Sequence, residues 1–161
     1  MRLFAPAVAI LAAAVAPWGG PALAQRVQIA GLSDPALGTW YGAGDLVAEV
    51  EHCVQRVGNP RGRFNLLAQG SGSGGAFELS SGSSTLGYLL SYNDGSGWRD
   101  ITAPDSSLTG LQGLWNTGQF NACLSGGSGS EFLRIRIPEA NLSVAASGSY
   151  AGTLLLTVSP E

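Results

Sequence analysis

The stretch Ser149-Tyr150-Ala151-Gly152-Thr153-Leu154-Leu155-Leu156-Thr157-Val158 decides the fold class. Tyr150, Leu154, Leu156 and Val158 fall on one face of an extended chain, with Gly152 in the same row. Ala151, Thr153, Leu155 and Thr157 fall on the other, because successive strand side chains point to opposite sides. The same two-residue period fills 131–137, where Leu133, Ile135 and Ile137 alternate with Arg134 and Arg136. One apolar face and one wet face on a single strand are what an antiparallel sheet requires.

Upstream the period repeats between turn clusters. Leu86, Tyr88, Leu90 and Tyr92 alternate with smaller or polar neighbours, and Asn93-Asp94-Gly95-Ser96-Gly97 before Trp98 is a hairpin signal. Phe64, Leu66 and Ala68 mark another strand, and Phe77 with Leu79 a short one. Leu46, Ala48 and Val50 alternate with Val47, Glu49 and Glu51 in a strand that runs into Cys53. Val27 with Ile29, and the segment 37–40, are read as two short early strands. The Gly/Ser stretches 70–75, 80–84 and 125–130 are read as loops. The one helical candidate is a single turn near 139–144, started by Pro138 and ended by Gly148. Short strands at regular spacing predict an all-β sandwich.

The N-terminus predicts export. Arg2 precedes a short apolar run, 3–15, then Pro17, Gly19, Gly20 and Pro21 break it, and Ala22-Leu23-Ala24 has the small-x-small pattern of a cleavage site. The run is too short for a spanning helix, which needs roughly 20 apolar residues. Residues 1–24 are therefore read as a signal peptide and 25–161 as one domain, with no membrane span in the mature chain. Only 12% of residues are charged, the net charge is −3, and all eight basic residues are arginine. That balance argues against nucleic acid or acidic lipid as a partner. Two cysteines in an oxidising compartment, Cys53 and Cys123, read as one disulfide. The rival is a reactive Cys53 thiol beside His52, but neighbours on a strand point to opposite faces.

A search for chemistry finds no catalytic, cofactor-binding or metal-binding set. The stretch 70–75 satisfies G-x-G-x-x-G, yet Ala76-Phe77-Glu78-Leu79-Ser80 follows it, and a dinucleotide site needs a helix there. His52 is the single histidine, and no G-x-S-x-G elbow occurs. Glu49, Glu51, His52 and Cys53 lie near one another, but Glu49 and Glu51 look like a solvated strand face. Asp34, Asp45, Asp94, Asp100 and Asp105 show no pairing pattern, and Asp94 fits a turn role. Asn141-Leu142-Ser143 matches a glycosylation sequon, which matters only in a eukaryotic secretory route. Trp40, Tyr41, Trp98 and Trp115 suit either the core and sheet packing or a carbohydrate-stacking surface.

Three segments in order resemble fimbrial subunits of the spore-coat-protein-U-like and related chaperone–usher pilin families. The ending, 145–161, is similar to the last strand on which many such pilins finish, of the form "aGtYsgtLtltV". Leu32-Ser33-Asp34-Pro35-Ala36-Leu37-Gly38-Thr39-Trp40 resembles their early "l-FGtY" element, with Leu37 and Trp40 replacing its aromatic residues. Leu86-Gly87-Tyr88-Leu89-Leu90-Ser91-Tyr92-Asn93-Asp94 resembles their central "l-Y-l-yd" strand. The usual cysteine near the mature N-terminus is not seen.

The resemblance implies an immunoglobulin-like, pilin-type β-sandwich that is incomplete and lacks its final strand. Its groove would be filled by a strand from another protein. Tyr150, Leu154, Leu156 and Val158 are expected to line this acceptor groove, the chain ending soon after Val158. Val27, Ile29 and Leu32 are either a donor segment or the domain's own first strand. The implied partners are a periplasmic pilus chaperone, an outer-membrane usher and sister pilin subunits. The implied location is the periplasm in transit, then a cell-surface fimbria, with a minor or terminal place in it. A free-standing secreted module or adhesin, for carbohydrate, is the alternative. No enzyme activity and no cofactor are expected.

Overall fold

The computed structural model describes residues 25–58, 63–102, 104, 106–116, 123 and 131–161, with the backbone alone at 115 and 116. The expected leader 1–24, Asp105 and the 125–130 loop lie outside the described residues.

Eleven strands and one short helix follow one another: β1 (Arg26–Ala30), β2 (Leu46–Val57), β3 (Phe64–Gly70), β4 (Glu78–Ser81), β5 (Ser84–Gly87), β6 (Leu89–Asn93), β7 (Trp98–Ile101), β8 (Ser107–Leu111), β9 (Leu114–Asn116), β10 (Glu131–Ile137), α1 (Glu139–Leu142) and β11 (Leu154–Pro160). The larger sheet has the order β1-β2-β10-β6-β7, with β9 parallel to the far end of β2. The second sheet is β11-β3-β8, and β4 and β5 form a separate hairpin. Apart from β9, every pairing is antiparallel. The fold is all-β, an immunoglobulin-like sandwich. No helix among the described residues is long and apolar enough to cross a membrane.

Alternation explains the layers. Val50 and Val54 of β2, Leu133, Ile135 and Ile137 of β10, and Leu90 and Tyr92 of β6 bury against Phe64, Leu66 and Ala68 of β3 and Leu108 and Leu111 of β8. The rings of Phe64 and Tyr92 meet edge to face across the layers at 6.5 Å, a geometry that aromatic quadrupoles favour. Leu86, Tyr88, Leu90 and Tyr92 are all buried, as their period predicts. Their run is nevertheless divided: the chain passes from the β4–β5 hairpin into the large sheet at Tyr88, whose N–H bonds the Phe77 carbonyl at 2.9 Å.

Several expectations are corrected. The segment 80–84 is a tight hairpin turn and not a loop: Ser81 pairs Ser84, and Gly82 at φ +59° turns the chain. The segment 37–40 forms no strand, because Gly38 at φ +82° breaks the extended run. The expected strand 149–158 starts only at Leu154. Its first part is diverted, Ala151 exchanging 2.8 and 3.0 Å backbone bonds with Ser80 of β4. A Cβ on Gly152 would lie 2.9 Å from Ser71 Oγ and 3.0 Å from the Glu78 carbonyl, so glycine permits that close passage. Strands β7, β8 and β9 carry no alternation strong enough to be read beforehand. The helical turn opens after Pro138, as expected.

Candidate functional site

One flank of the sandwich is open. β11 is laddered to β3 from Leu154↔Gly70 to Pro160↔Phe64, and no strand among the described residues pairs its other edge. Opposite runs the segment 32–40, between Gly31 at φ +81° and Gly42 at φ +97°. None of its backbone groups bonds another backbone group among the described residues. Exposed unpaired backbone beside an apolar layer is an edge ready to take another strand.

A cleft of about 1170 Å³ lies between them. One wall is 32–40, the other is 145–154 with Leu156, and the floor is Leu46, Val50, Leu133, Ile135 and Ile137 of the large sheet, with Leu86 and Tyr88. The floor residues Val50, Leu133, Ile135 and Ile137 are members of the main core, so the cleft opens directly onto the interior. It exceeds the roughly 300–1,000 Å³ usual for small-molecule pockets and is bounded by chain edges, which suits an extended peptide.

Leu154 and Leu156 line the cleft, and Leu155 and Thr157 face outward. Tyr150 stands at the rim, half-buried, its hydroxyl donating to the Ala146 carbonyl at 2.9 Å. Val158 packs against the core but lies beyond the cleft lining, where β1 touches β11. Val27 and Ile29 lie within β1, paired to β2 from Arg26↔Val57 to Ala30↔Cys53 and packed on the core. They form the domain's own first strand. Leu32, 46% exposed, begins the opposite wall.

Sequence reasoning assigned the groove to β11 and missed its other wall, where Leu37 and Trp40 pack against the core. Trp40 is held by its indole N–H, which donates to the Gly44 carbonyl at 2.9 Å. Gly44 N–H in turn bonds Glu139 Oε2 at 3.0 Å, tying the end of this wall to α1. The glycines flanking Leu32 and Leu37 were the available signal, since they interrupt alternation without removing apolar side chains.

The closed end of the large sheet carries a polar cluster. His52 is buried, with Nδ1 3.2 Å from the Val50 carbonyl and Nε2 3.1 Å from the Tyr92 hydroxyl. Burial lowers the His52 pKa, partly offset by the Val50 carbonyl. Burial, with the Glu131 and Asp94 charges, pushes the Tyr92 hydroxyl up. Burial alone would raise Asp94. Hydrogen bonds from the Ser96 hydroxyl, the Gln112 N–H at 2.8 Å and the Ser96 N–H outweigh it and hold the carboxyl low. Asp94 thus does more than shape its turn: it joins the β6–β7 hairpin to the end of β8. The Asn141 amide of the sequon donates to the Gly87 carbonyl at 2.9 Å.

On the opposite side of β2, Cys53 is joined to Cys123, with Sγ–Sγ 2.06 Å and Cα–Cα 5.7 Å. His52 and Cys53 therefore serve different faces of one strand.

No protein-family model matches the chain, and no curated protein does. Among solved structures, it is similar to a chain of the chaperone–tip adhesin complex of CFA/I fimbriae biogenesis, with TM-score 0.57 and 18% identity. That likeness covers 84% of this chain and 42% of the other. A looser likeness, TM-score 0.36 and 14% identity over 86% of this chain and 43% of the other, is to the CupB6 tip adhesin from Pseudomonas aeruginosa. The chain thus spans less than half the length of the solved chains it matches. The first likeness supports the sandwich fold, and both neighbours come from fimbrial systems.

Proposed function

We propose that this chain is a subunit of a bacterial surface fimbria that receives a strand from another protein in the cleft beside β11. The observation that carries this reading is the pair of unpaired chain edges, 32–40 and β11, flanking an apolar floor that belongs to the core. A donated strand would hydrogen-bond β11 and set alternate apolar side chains onto Leu133, Ile135 and Ile137. In this reading the donor is first a periplasmic chaperone and then a sister subunit delivered through an outer-membrane usher. The likeness to spore-coat-protein-U-like pilins and the export signal at 1–24 support the same route. β1 is committed to β2, so 25–30 serves as this domain's own strand and not as a donor. That favours a minor or terminal place in the fibre and a role without catalysis.

The test is to express the full chain for export, alone and with an alternating apolar strand fused through a flexible linker after Glu161. The fused protein is expected to be monomeric and to unfold cooperatively, and the chain alone to aggregate or melt far lower. A chain that is already a stable, cooperatively unfolding monomer without the added strand would refute the reading.

A further inference from the structure

The outward face of the large sheet, remote from the cleft, holds a second feature. The register places Trp98 of β7 beside Asn93 of β6, and Asp100, Ser91, Arg134 and Glu49 in one row across four strands. The Arg134 guanidinium carbon lies 3.6 Å from the Trp98 ring centroid. Its Nε bonds Glu49 Oε1 at 2.8 Å. The carboxylate fixes the guanidinium and the guanidinium fixes the ring, so the indole is held flat on the sheet by a chain of contacts crossing from β2 to β7. With Arg134 over one ring face, the 37% of Trp98 left exposed belongs to the other face and the ring edge.

We propose that this face binds a neutral saccharide, with Trp98 as the stacking platform. A pyranose presents a flat C–H face that packs on an aromatic plane, and its hydroxyls suit the planar polar groups beside the ring. Asp100, whose Oδ1 accepts from the Ser91 hydroxyl at 2.7 Å, and the exposed Glu51 lie on the same face. Their charge, with that of Glu49 and Asp45, outweighs Arg134 and Arg136 and disfavours sialylated or sulfated sugars. A protein partner fits less well: the exposed apolar residues Val47 and Leu89 are separated by Arg136 in their row and from Trp98 by the ion-paired row, whereas interface centres are depleted of charge. Because the ring is already held, little side-chain freedom is lost on binding.

The test is a titration of the full exported chain with glucose, galactose, mannose, N-acetylglucosamine and their disaccharides, followed by tryptophan emission and saturation-transfer NMR. At least one neutral sugar is expected to give a saturable response, and its sialylated or sulfated counterpart a weaker one. Trp98→Ala should weaken binding about tenfold, Trp98→Phe less, and Arg134→Gln about threefold by freeing the ring. Thermal melts of each variant separate lost binding from lost folding. No saturable response from any sugar tested, a response unchanged in a folded Trp98→Ala protein, or a protein ligand that alone occupies this face would overturn the proposal. Repeating the titration on the strand-fused chain keeps the two readings apart, since either face can fail without the other.

Discussion

β10 and β11 present nearly the same pattern and meet different fates. Each alternates branched apolar side chains with outward residues, Leu133, Ile135 and Ile137 on one and Leu154, Leu156 and Val158 on the other. β10 is laddered on both edges, to β2 and β6, and its inward side chains are 1–8% exposed. β11 is laddered on one edge only, and its inward side chains stay half-buried. Alternation states which face of a strand is apolar. Burial depends also on whether something closes the space beside the strand.

The largest effect is expected where the closed side is tied covalently. Replacing Cys53 and Cys123 by alanine removes a link across 70 residues, worth about 4 kcal/mol in the chain-entropy model. Urea midpoints of the strand-fused protein should fall accordingly, and an unchanged midpoint would show that the pinned end of β2 is stable without its tie.

The contrast between the strands is sharpened by truncating each. Ile137→Ala should cost about 3 kcal/mol whether or not the cleft is filled. Leu156→Ala should cost about half as much in the open chain and approach the Ile137 value once a strand is supplied. Equal costs in both forms would mean that no strand packs on Leu156.

A pH scan addresses the polar end of the closed sheet. The folded-state pKa of His52 lies below 6.5 because the ring is buried. The unfolded chain therefore binds the proton more readily, and stability that is full above about pH 6.5 declines as the pH falls toward the folded value. Tyr92, Glu131 and Asp94 surround this end and belong to the same titration. His52→Gln should flatten the loss between pH 7.5 and 5, measured as the shift in urea midpoint, and an identical slope would assign it to the carboxylates. The smallest effect is expected on the outer face. Glu49→Gln breaks a solvent-exposed pair with Arg134 and should cost about 0.5 kcal/mol or less by thermal melting.

Local chemistry was enough for much of this molecule. The faces of β2, β3, β6 and β10, the hairpin at 93–97 and the turn after Pro138 follow from residue order alone, because period, turn residues and caps act within a few residues. The acceptor wall on β11 was legible in the same way. Its partner wall was not: Leu37 and Trp40 belong to no regular element, and their role arises from lying across a space from β11. The β7–β9 region was equally opaque, since short strands with one or two inward residues carry too little period to register.

The sequence by itself determined that this protein is all-β, which faces of its strands are apolar, and that Cys53 and Cys123 were available to pair. Those properties depend on side-chain chemistry read a few positions at a time. Only the tertiary structure decided that β1 is spent on β2, that β11 keeps an unpaired edge beside an open core, and that Glu49, Arg134 and Trp98 stand in contact on the outer face. Each depends on which distant segments share a ladder, and strand pairing across tens of residues leaves no local trace in the chain that makes it.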